Sequence, residues 1–222
     1  MRLLALPGVF RPHSDSWLLA RAVEREPLTE GARVLDLCSG SGVLAIAAAL
    51  AGASEVTAVD VSRRSLLAIR ANARLNRVEV NALRGDLFQP VRARRFGLIL
   101  ANPPYVPSAA EELPHRGLAR AWEAGDTGRS FIERICEEAP EHLAPGGVVL
   151  LVHSSICGEA ETVEALERRG LQTSVVERRS GELGPLMHSR RHMLADRGLL
   201  AGPSEELLVI RARAPEPARV AA

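Results

Sequence analysis

The apolar run Phe96-Gly-Leu-Ile-Leu-Ala101 passes directly into Asn102-Pro103-Pro104-Tyr105, and this junction limits what the chain can fold into more than any other stretch. Six residues without a polar side chain read as a strand buried on both faces, the pattern of a parallel sheet covered by helices. Two successive prolines cannot donate to a β-ladder, so the strand stops there and the loop is stiff and poor in N–H groups. Ligands of open parallel sheets bind beyond the carboxyl ends of the strands. What this loop offers there is acceptors: the Asn102 side-chain carbonyl and the Pro103 carbonyl, beside the Tyr105 ring. Two fixed acceptors can hold both hydrogens of a planar NH2 group and leave the nitrogen lone pair aimed at an electrophile. The plainer alternative is a proline-rich turn that caps a strand.

A second run, Arg33 to Leu37, enters Cys38-Ser39-Gly40-Ser41-Gly42 and then the alanine-rich stretch Val43 to Ala51, so strand, glycine loop and helix follow one another. Gly40-Ser-Gly42-Val-Leu-Ala45 fits G-x-G-x-x-A, which raises a dinucleotide-binding unit as one alternative. Asp36 opposes it, because a carboxylate just before the loop repels a pyrophosphate placed on the helix N-terminus. A nucleoside without phosphate, carrying an ammonium and a sulfonium cation as S-adenosylmethionine does, is favoured by the same charge. The run Glu55 to Asp60 ends in an acid able to accept from both ribose hydroxyls. After a helix expected over Ser62 to Leu75, the segment Val80 to Leu87 places Asp86 at another strand end, where it can accept from an adenine amino group while Leu87 packs on the ring. Singly, each aspartate reads as a cap or turn residue. Three at successive strand ends, followed by Asn-Pro-Pro-Tyr, read together as a nucleoside site.

The order Val34-Leu-Asp-Leu-Cys-Ser-Gly-Ser-Gly42, Val59-Asp60-Val61-Ser62, Gly85-Asp86-Leu87-Phe88 and Leu98-Ile-Leu-Ala-Asn-Pro-Pro-Tyr105 resembles the class I S-adenosylmethionine-dependent methyltransferases. Within them it is similar to the release-factor glutamine methyltransferases and their short HemK-related relatives. The resemblance extends upstream to Val9-Phe-Arg-Pro-His-Ser-Asp15-Ser16 and downstream to Ala121 to Gly128 and Glu205 to Ile210. It implies an α/β fold: a Rossmann-like, doubly wound sheet of seven mostly parallel strands ending in an antiparallel hairpin. A single domain over 1–214 with a loose tail at 215–222 is expected.

The cofactor implied is S-adenosyl-L-methionine, held by Asp36, Cys38, Ser39, Gly40, Gly42, Asp60, Val61, Asp86, Leu87 and Asn102. Catalysis is assigned by resemblance to Asn102, Pro103 and Tyr105, and substrate contact to those three with Pro104, Asp15 and Ser16. The acceptor expected first is a protein glutamine side chain; an exocyclic base amine of RNA or DNA and a small-molecule amine are the alternatives. Two departures stand out. Cys38 occupies a position where the family often has glycine, and only about thirty residues precede the first strand, where full-length bacterial enzymes carry a helical substrate domain. The short relatives, some of which work with a small zinc-binding activator subunit, are the nearer likeness.

At 222 residues and 46% hydrophobic content the chain can bury one substantial core. All 28 basic side chains are arginines, yet the net charge is only +1, which gives little pull toward polyphosphate. The arginine doublets, Arg178-Arg179 and Arg190-Arg191 among them, read as solvated surface. Cysteines 38, 136 and 157 have neither paired spacing nor an even count, so reduced thiols in a cytoplasm are expected. His188 and His192 have i, i+4 spacing without a third ligand nearby, and no metal site is expected. Met1 to Phe10 is broken by Pro7-Gly8 and is no secretory signal, and no run is long enough to span a bilayer. A helix over Arg129 to Leu143 closed by Ala-Pro-Gly-Gly147, a strand at Val148 to Val152, a helix over Glu159 to Arg169, and strands at Leu171 to Glu177 and Glu206 to Ala212 complete the expectation. The stretch from Arg179 to Pro203 reads as irregular.

Overall fold

The computed structural model describes residues 1–110, 112–115, 117–200 and 202–216. Its strands are β1 (Arg33–Leu37), β2 (Glu55–Asp60), β3 (Asn81–Arg84), β4 (Phe96–Ala101), β5 (Leu143–Ser154), β6 (Gln172–Glu182) and β7 (Ser204–Arg213). They form one sheet in the order β3-β2-β1-β4-β5-β7-β6. Pairing is parallel from β3 through β5, and β7 lies antiparallel between β5 and β6. The expected seven-stranded, doubly wound sheet with its C-terminal hairpin is the one found.

Strand alternation divides the core into two layers. Leu98, Leu100, Val148, Leu150 and Val152 face one layer, completed by α1 (Ser14–Arg25), α2 (Val43–Leu50) and α3 (Arg63–Asn76). Ile99, Ala101, Val149 and Leu151 face the other, covered by α4 (Ser130–His142) and α5 (Glu159–Glu167). Because both faces are buried, the strands carry apolar side chains at successive positions and show no polar alternation. A third, small apolar cluster of Val106, Ile156, Met187 and Leu194 sits apart from the sheet.

Several boundaries differ from the sequence expectation. Helix α1 was not anticipated, although Leu18, Leu19, Ala22 and Val23 recur at helical spacing and are buried against α2. Strand β3 is only four residues long, so Asp86 lies two residues beyond its end. Ala-Pro-Gly-Gly147 is no loop: β5 begins at Leu143 opposite Phe96, the register then shifts, and pairing resumes at Leu98 opposite Val148. Strand β6 runs on to Glu182, and the connection that follows holds two short helices, α6 (Pro185–Ser189) and α7 (Arg191–Asp196). His188 and His192 fall in different helices, so their spacing does not place them on one face. Of the expected tail, Pro215 and Glu216 are tied back to Gly146 and Arg213, and 217–222 lie outside the described residues.

The first residues are held by side chains. Asn72 is fully buried in α3; its Oδ1 accepts from Leu4 N–H at 2.7 Å and its Nδ2 donates to the carbonyls of Leu4 and Ser41 at 3.3 and 3.0 Å. One helical turn on, Asn76 pairs with the N–H and carbonyl of Arg2 at 2.8 and 2.6 Å. Two asparagines at i, i+4 thus replace a β-partner for the N-terminal segment, and the inner one also fixes the glycine loop. Replacing Asn72 with Ala leaves the buried Ser41 carbonyl and the part-buried Leu4 backbone groups without their partner and should lower stability by ~2 kcal/mol in urea unfolding, whereas Asn76→Ala, at the exposed end, should cost under about 1 kcal/mol.

Candidate active site

The strand order reverses between β1 and β4, which opens the crevice where doubly wound sheets take their ligands. Leu37 is in register with Val59 on one side and Ala101 on the other. The next residues, Cys38, Asp60 and Asn102, therefore emerge side by side, so the glycine loop and the Asn-Pro-Pro-Tyr loop are neighbours because their strands are.

The loop after β1 is folded around carboxylates. Asp60 accepts from Gly40 N–H at 2.9 Å and from Ser62 N–H at 2.8 Å, and Ser39 Oγ donates to the Asp36 carbonyl at 2.7 Å. Asp36 is fully buried; its Oδ2 accepts from Ala45 N–H in the first turn of α2 at 3.0 Å, while Oδ1 has no donor among the described residues. Gly42 takes φ +83°, and a Cβ there would press on the Ile69 backbone at 3.2 Å, so α3 packs directly on the loop. Gly40 takes φ +52° with open space beside it. Cys38 and Leu87 also adopt left-handed φ, +54° and +45°, at a cost of ~1 to 2 kcal/mol each for residues with a Cβ. Cys38 thus has the backbone that suits glycine. Such strain is characteristic of ligand sites.

Burial dominates the electrostatics. Desolvation raises the Asp36 carboxyl to about 7, against the hydrogen bonds that favour its charged form. Desolvation also raises Asp60, and it pushes the Cys38 thiol well up, helped by Asp60, Asp36 and Asp86. Asp86 is gripped by both nitrogens of the Arg134 fork, at 2.7 and 3.3 Å, with both side chains half exposed. This partner was not foreseen, since an arginine on an exposed helix face carries no sequence signal of its role.

Between the other loop and the start of α1, four polar side chains form a chain. Tyr105 OH donates to Asp15 Oδ2 at 2.9 Å, and Asp15 Oδ1 accepts from the Ser16 backbone and hydroxyl at 2.6 and 3.1 Å. Ser16 Oγ in turn accepts from Asn102 Nδ2 at 3.0 Å. With its Nδ2 committed, the Asn102 amide presents Oδ1 to the crevice. Among the described residues, no donor pairs with that oxygen or with the Pro103 carbonyl. Pro103 and Pro104 are buried. Desolvation, then Asp15, push the Tyr105 phenol well up, so it stays a neutral donor. Val61 is exposed at the crevice rim. The structure thus gathers Asp15, Ser16, Asn102 and Tyr105 into one cluster and Asp36, Cys38, Gly40 and Asp60 into the adjoining one, with Asp86 and Leu87 at its flank. Among the described residues no group of three metal-binding side chains occurs, and no helix is long and apolar enough to cross a membrane.

At the switch point of this Rossmann-like methyltransferase sheet, a crevice holding Asp36 and Asp60 lies beside two loop oxygens, Asn102 Oδ1 and the Pro103 carbonyl, that have no donor among the described residues. The family model of the methyltransferase small domain matches residues 1–181, and the chain belongs to that family. A Methanocaldococcus jannaschii protein named as a candidate protein N5-glutamine methyltransferase is 33% identical over 80% of this chain and 88% of its own length. Mouse methyltransferase HEMK2 is 31% identical over 80% of this chain and 87% of that protein. The release factor glutamine methyltransferase of Gloeobacter violaceus is 37% identical over 76% of this chain, which spans 62% of that longer protein. Among solved structures, the E. cuniculi Mtq2–Trm112 complex, responsible for methylation of the termination factor eRF1, shares the fold with a TM-score of 0.65 at 23% identity, over 93% of this chain and 99% of that one. The T. thermophilus 16S rRNA N2 G1207 methyltransferase RsmC, in complex with AdoMet and guanosine, gives 0.61 at 23% identity, over 94% of this chain and 46% of that one.

Asp36 sets a pH dependence whose sign follows from its burial. Between its ordinary value of 3.8 and about 7, the folded chain retains a proton that the unfolded chain has released. The stabilisation from the protonated carboxyl is full below pH 3.8 and is lost as pH rises to about 7, up to roughly 4 kcal/mol. Urea unfolding from pH 4.5 to 8 should show the parent losing stability relative to Asp36→Asn; a constant difference between the two would remove Asp36 from the account.

Proposed function

We propose that this methyltransferase takes its methyl group from S-adenosylmethionine and places it on the side-chain amide nitrogen of a glutamine in a protein. The donor fits the first cluster: the unpartnered, buried Asp36 Oδ1 suits an ammonium, Asp60 suits ribose hydroxyls, and the space beside Gly40 admits a ligand against the backbone. Bound there, the donor supplies an electrophilic methyl group on a sulfonium. Asp86, held in place by Arg134, is left to accept from the nucleobase edge, with Leu87 beside it.

The observation that carries the acceptor assignment is the chain from Tyr105 through Asp15 and Ser16 to Asn102. An amide nitrogen is a poor nucleophile because its lone pair is delocalised into the carbonyl. Asn102 Oδ1 and the Pro103 carbonyl can accept both of its hydrogens and aim the lone pair at the methyl carbon. As the C–N bond forms and the S–C bond breaks, the nitrogen becomes positive and these two oxygens stabilise the charge, more in the transition state than before it. The proton then leaves readily, since an N-protonated amide is a strong acid, and no strong base is required. Alignment alone can contribute ~7 to 11 kcal/mol. The relatives named for glutamine methylation, and the near-zero net charge, support a protein acceptor. A small activator subunit, as in the Mtq2–Trm112 complex, is part of this proposal.

Asn102→Ala should lower kcat by ~10²-fold or more with the dissociation constant for S-adenosylhomocysteine nearly unchanged. Ser16→Ala, which frees the amide to rotate, should lower kcat in the same direction but less. Equal turnover in parent and Asn102→Ala would take this loop out of the mechanism.

A host lysate incubated with methyl-labelled donor should yield label that protease removes and nuclease does not, and peptides with Glu or Lys in place of the acceptor Gln should take none. Glutamate has no NH2 hydrogens, and the lysine ammonium has no free lone pair at neutral pH. Nuclease-sensitive label with steep salt dependence, about −0.9 in logarithmic slope per duplex phosphate contact, would transfer the assignment to a base amine.

A further inference from the structure

The loop that receives the acceptor is unable to hold itself. Of the six residues Pro103 to Ser108, three are prolines, so N–H groups remain only at Tyr105, Val106 and Ser108. Val106 N–H donates to Trp122 O at 2.7 Å and Val106 O accepts from Ala124 N–H at 3.1 Å, a single bridge opposite Glu123. Among the described residues, the Tyr105 carbonyl receives only the weak Cys157 thiol donor, at 3.1 Å. The next two backbone carbonyls are met from far along the chain: Pro107 O accepts from Arg190 at 2.6 Å and Ser108 O from Arg197 at 3.1 Å.

Arg190 does more than cap one carbonyl. Its second terminal nitrogen donates to Glu123 Oε1 at 2.6 Å, and Glu123 is the residue that bridges to Val106. One guanidinium therefore clamps both sides of this bridge, which Ser108 N–H extends by donating to Gly125 O at 2.7 Å. The pair is largely shielded, at 23% and 16% side-chain exposure, which sets it apart from the solvated surface the Arg190-Arg191 doublet suggests. Arg190 sits at the break between α6 and α7, and that connection is itself anchored. Gly184 N–H donates to Glu205 Oε1 at 2.7 Å, the buried Glu205 accepts from Ser154 Oγ at 2.5 Å, and Met187 and Leu194 pack with Val106 and Ile156 behind Tyr105.

We propose that Arg190 is a positioning residue for methyl transfer, and that the connection between β6 and β7 is a fixed brace that holds the Asn-Pro-Pro-Tyr loop in register with the crevice. Its influence passes through Val106 and Tyr105 to Asp15, Ser16 and Asn102, so it rests on the loop function proposed above but not on the identity of the acceptor. Lysine cannot replace the arginine fully, because an ammonium lacks the planar fork that spans a carbonyl and a carboxylate at once.

The test compares Arg190→Met and Arg190→Lys with the parent, using kcat and KM for a glutamine peptide, calorimetric binding of S-adenosylhomocysteine, and amide hydrogen exchange at Val106 and Ser108. Arg190→Met should lower kcat by ~10 to 10²-fold, the scale of a small misplacement of reacting groups. Binding of S-adenosylhomocysteine should stay within about twofold, and exchange at Val106 and Ser108 should accelerate while β1 and β4 stay protected; Arg190→Lys should recover part of both changes. Should Arg190→Met fail to fold, Glu123→Ala, which removes one arm of the clamp, should show the same pattern more weakly. Unchanged exchange at the two loop amides, or a parallel loss of kcat, nucleoside binding and sheet protection, would overturn the proposal. A parent enzyme inactive on glutamine would instead count against the acceptor assignment alone, because the exchange measurement needs no acceptor.

Discussion

The parallel pairing of β1 with β4, in the register that sets Leu37 against Ala101, is the constraint on which the site depends. A one-residue slip would turn every side chain of one strand to the opposite layer, exchanging Ile99 and Ala101 for Leu98 and Leu100 and tearing both cores at once. The burial of both faces is therefore what fixes the relative position of the two loops. Precision at the crevice comes from packing several residues below it.

Upon that frame the two loops are stabilised by opposite means. The loop after β1 has backbone N–H groups in excess and is organised around the acids Asp36 and Asp60. The loop after β4 has almost none and is organised by donors brought to its carbonyls, Arg190 and Arg197 chief among them. A loop gathered around acids thus lies beside one gathered by donors.

What the sequence disclosed follows the same division. Apolar runs mark strands buried on both faces, and an acid, glycine or proline just past each run marks where it opens, so the places of Asp36, Gly40, Asp60 and Asn102 beside strand ends could be read from spacing, whereas the seven-stranded sheet with its hairpin was reached through resemblance. Asp15 and Ser16 were reached only through resemblance, because no local pattern connects residue 15 with residue 105. Arg134, Arg190 and Glu205 were not reached at all. The arginines' partners are backbone carbonyls or carboxylates far away in the chain, those of Glu205 a distant hydroxyl and N–H, and before folding an arginine that will clamp a loop is indistinguishable from one that will face water. Helix α1 and the bulge in β5 were missed for a different reason: in each, tertiary packing selects among several local conformations the residues allow.

The long separation of these contacts bears on how the chain acquires activity as it is synthesised. Leu4 must wait for Asn72, 68 residues on, Asp15 for Tyr105, 90 residues on, and Pro107 for Arg190, 83 residues on. Loop closure of this span opposes early formation of such contacts. The segment ahead of α1, synthesised before its partners, thus settles late, and the loop after β4 is completed only when the connection between β6 and β7 arrives. A chain that has paired β1 through β4 holds both loops of its crevice while still lacking the clamp on the second of them.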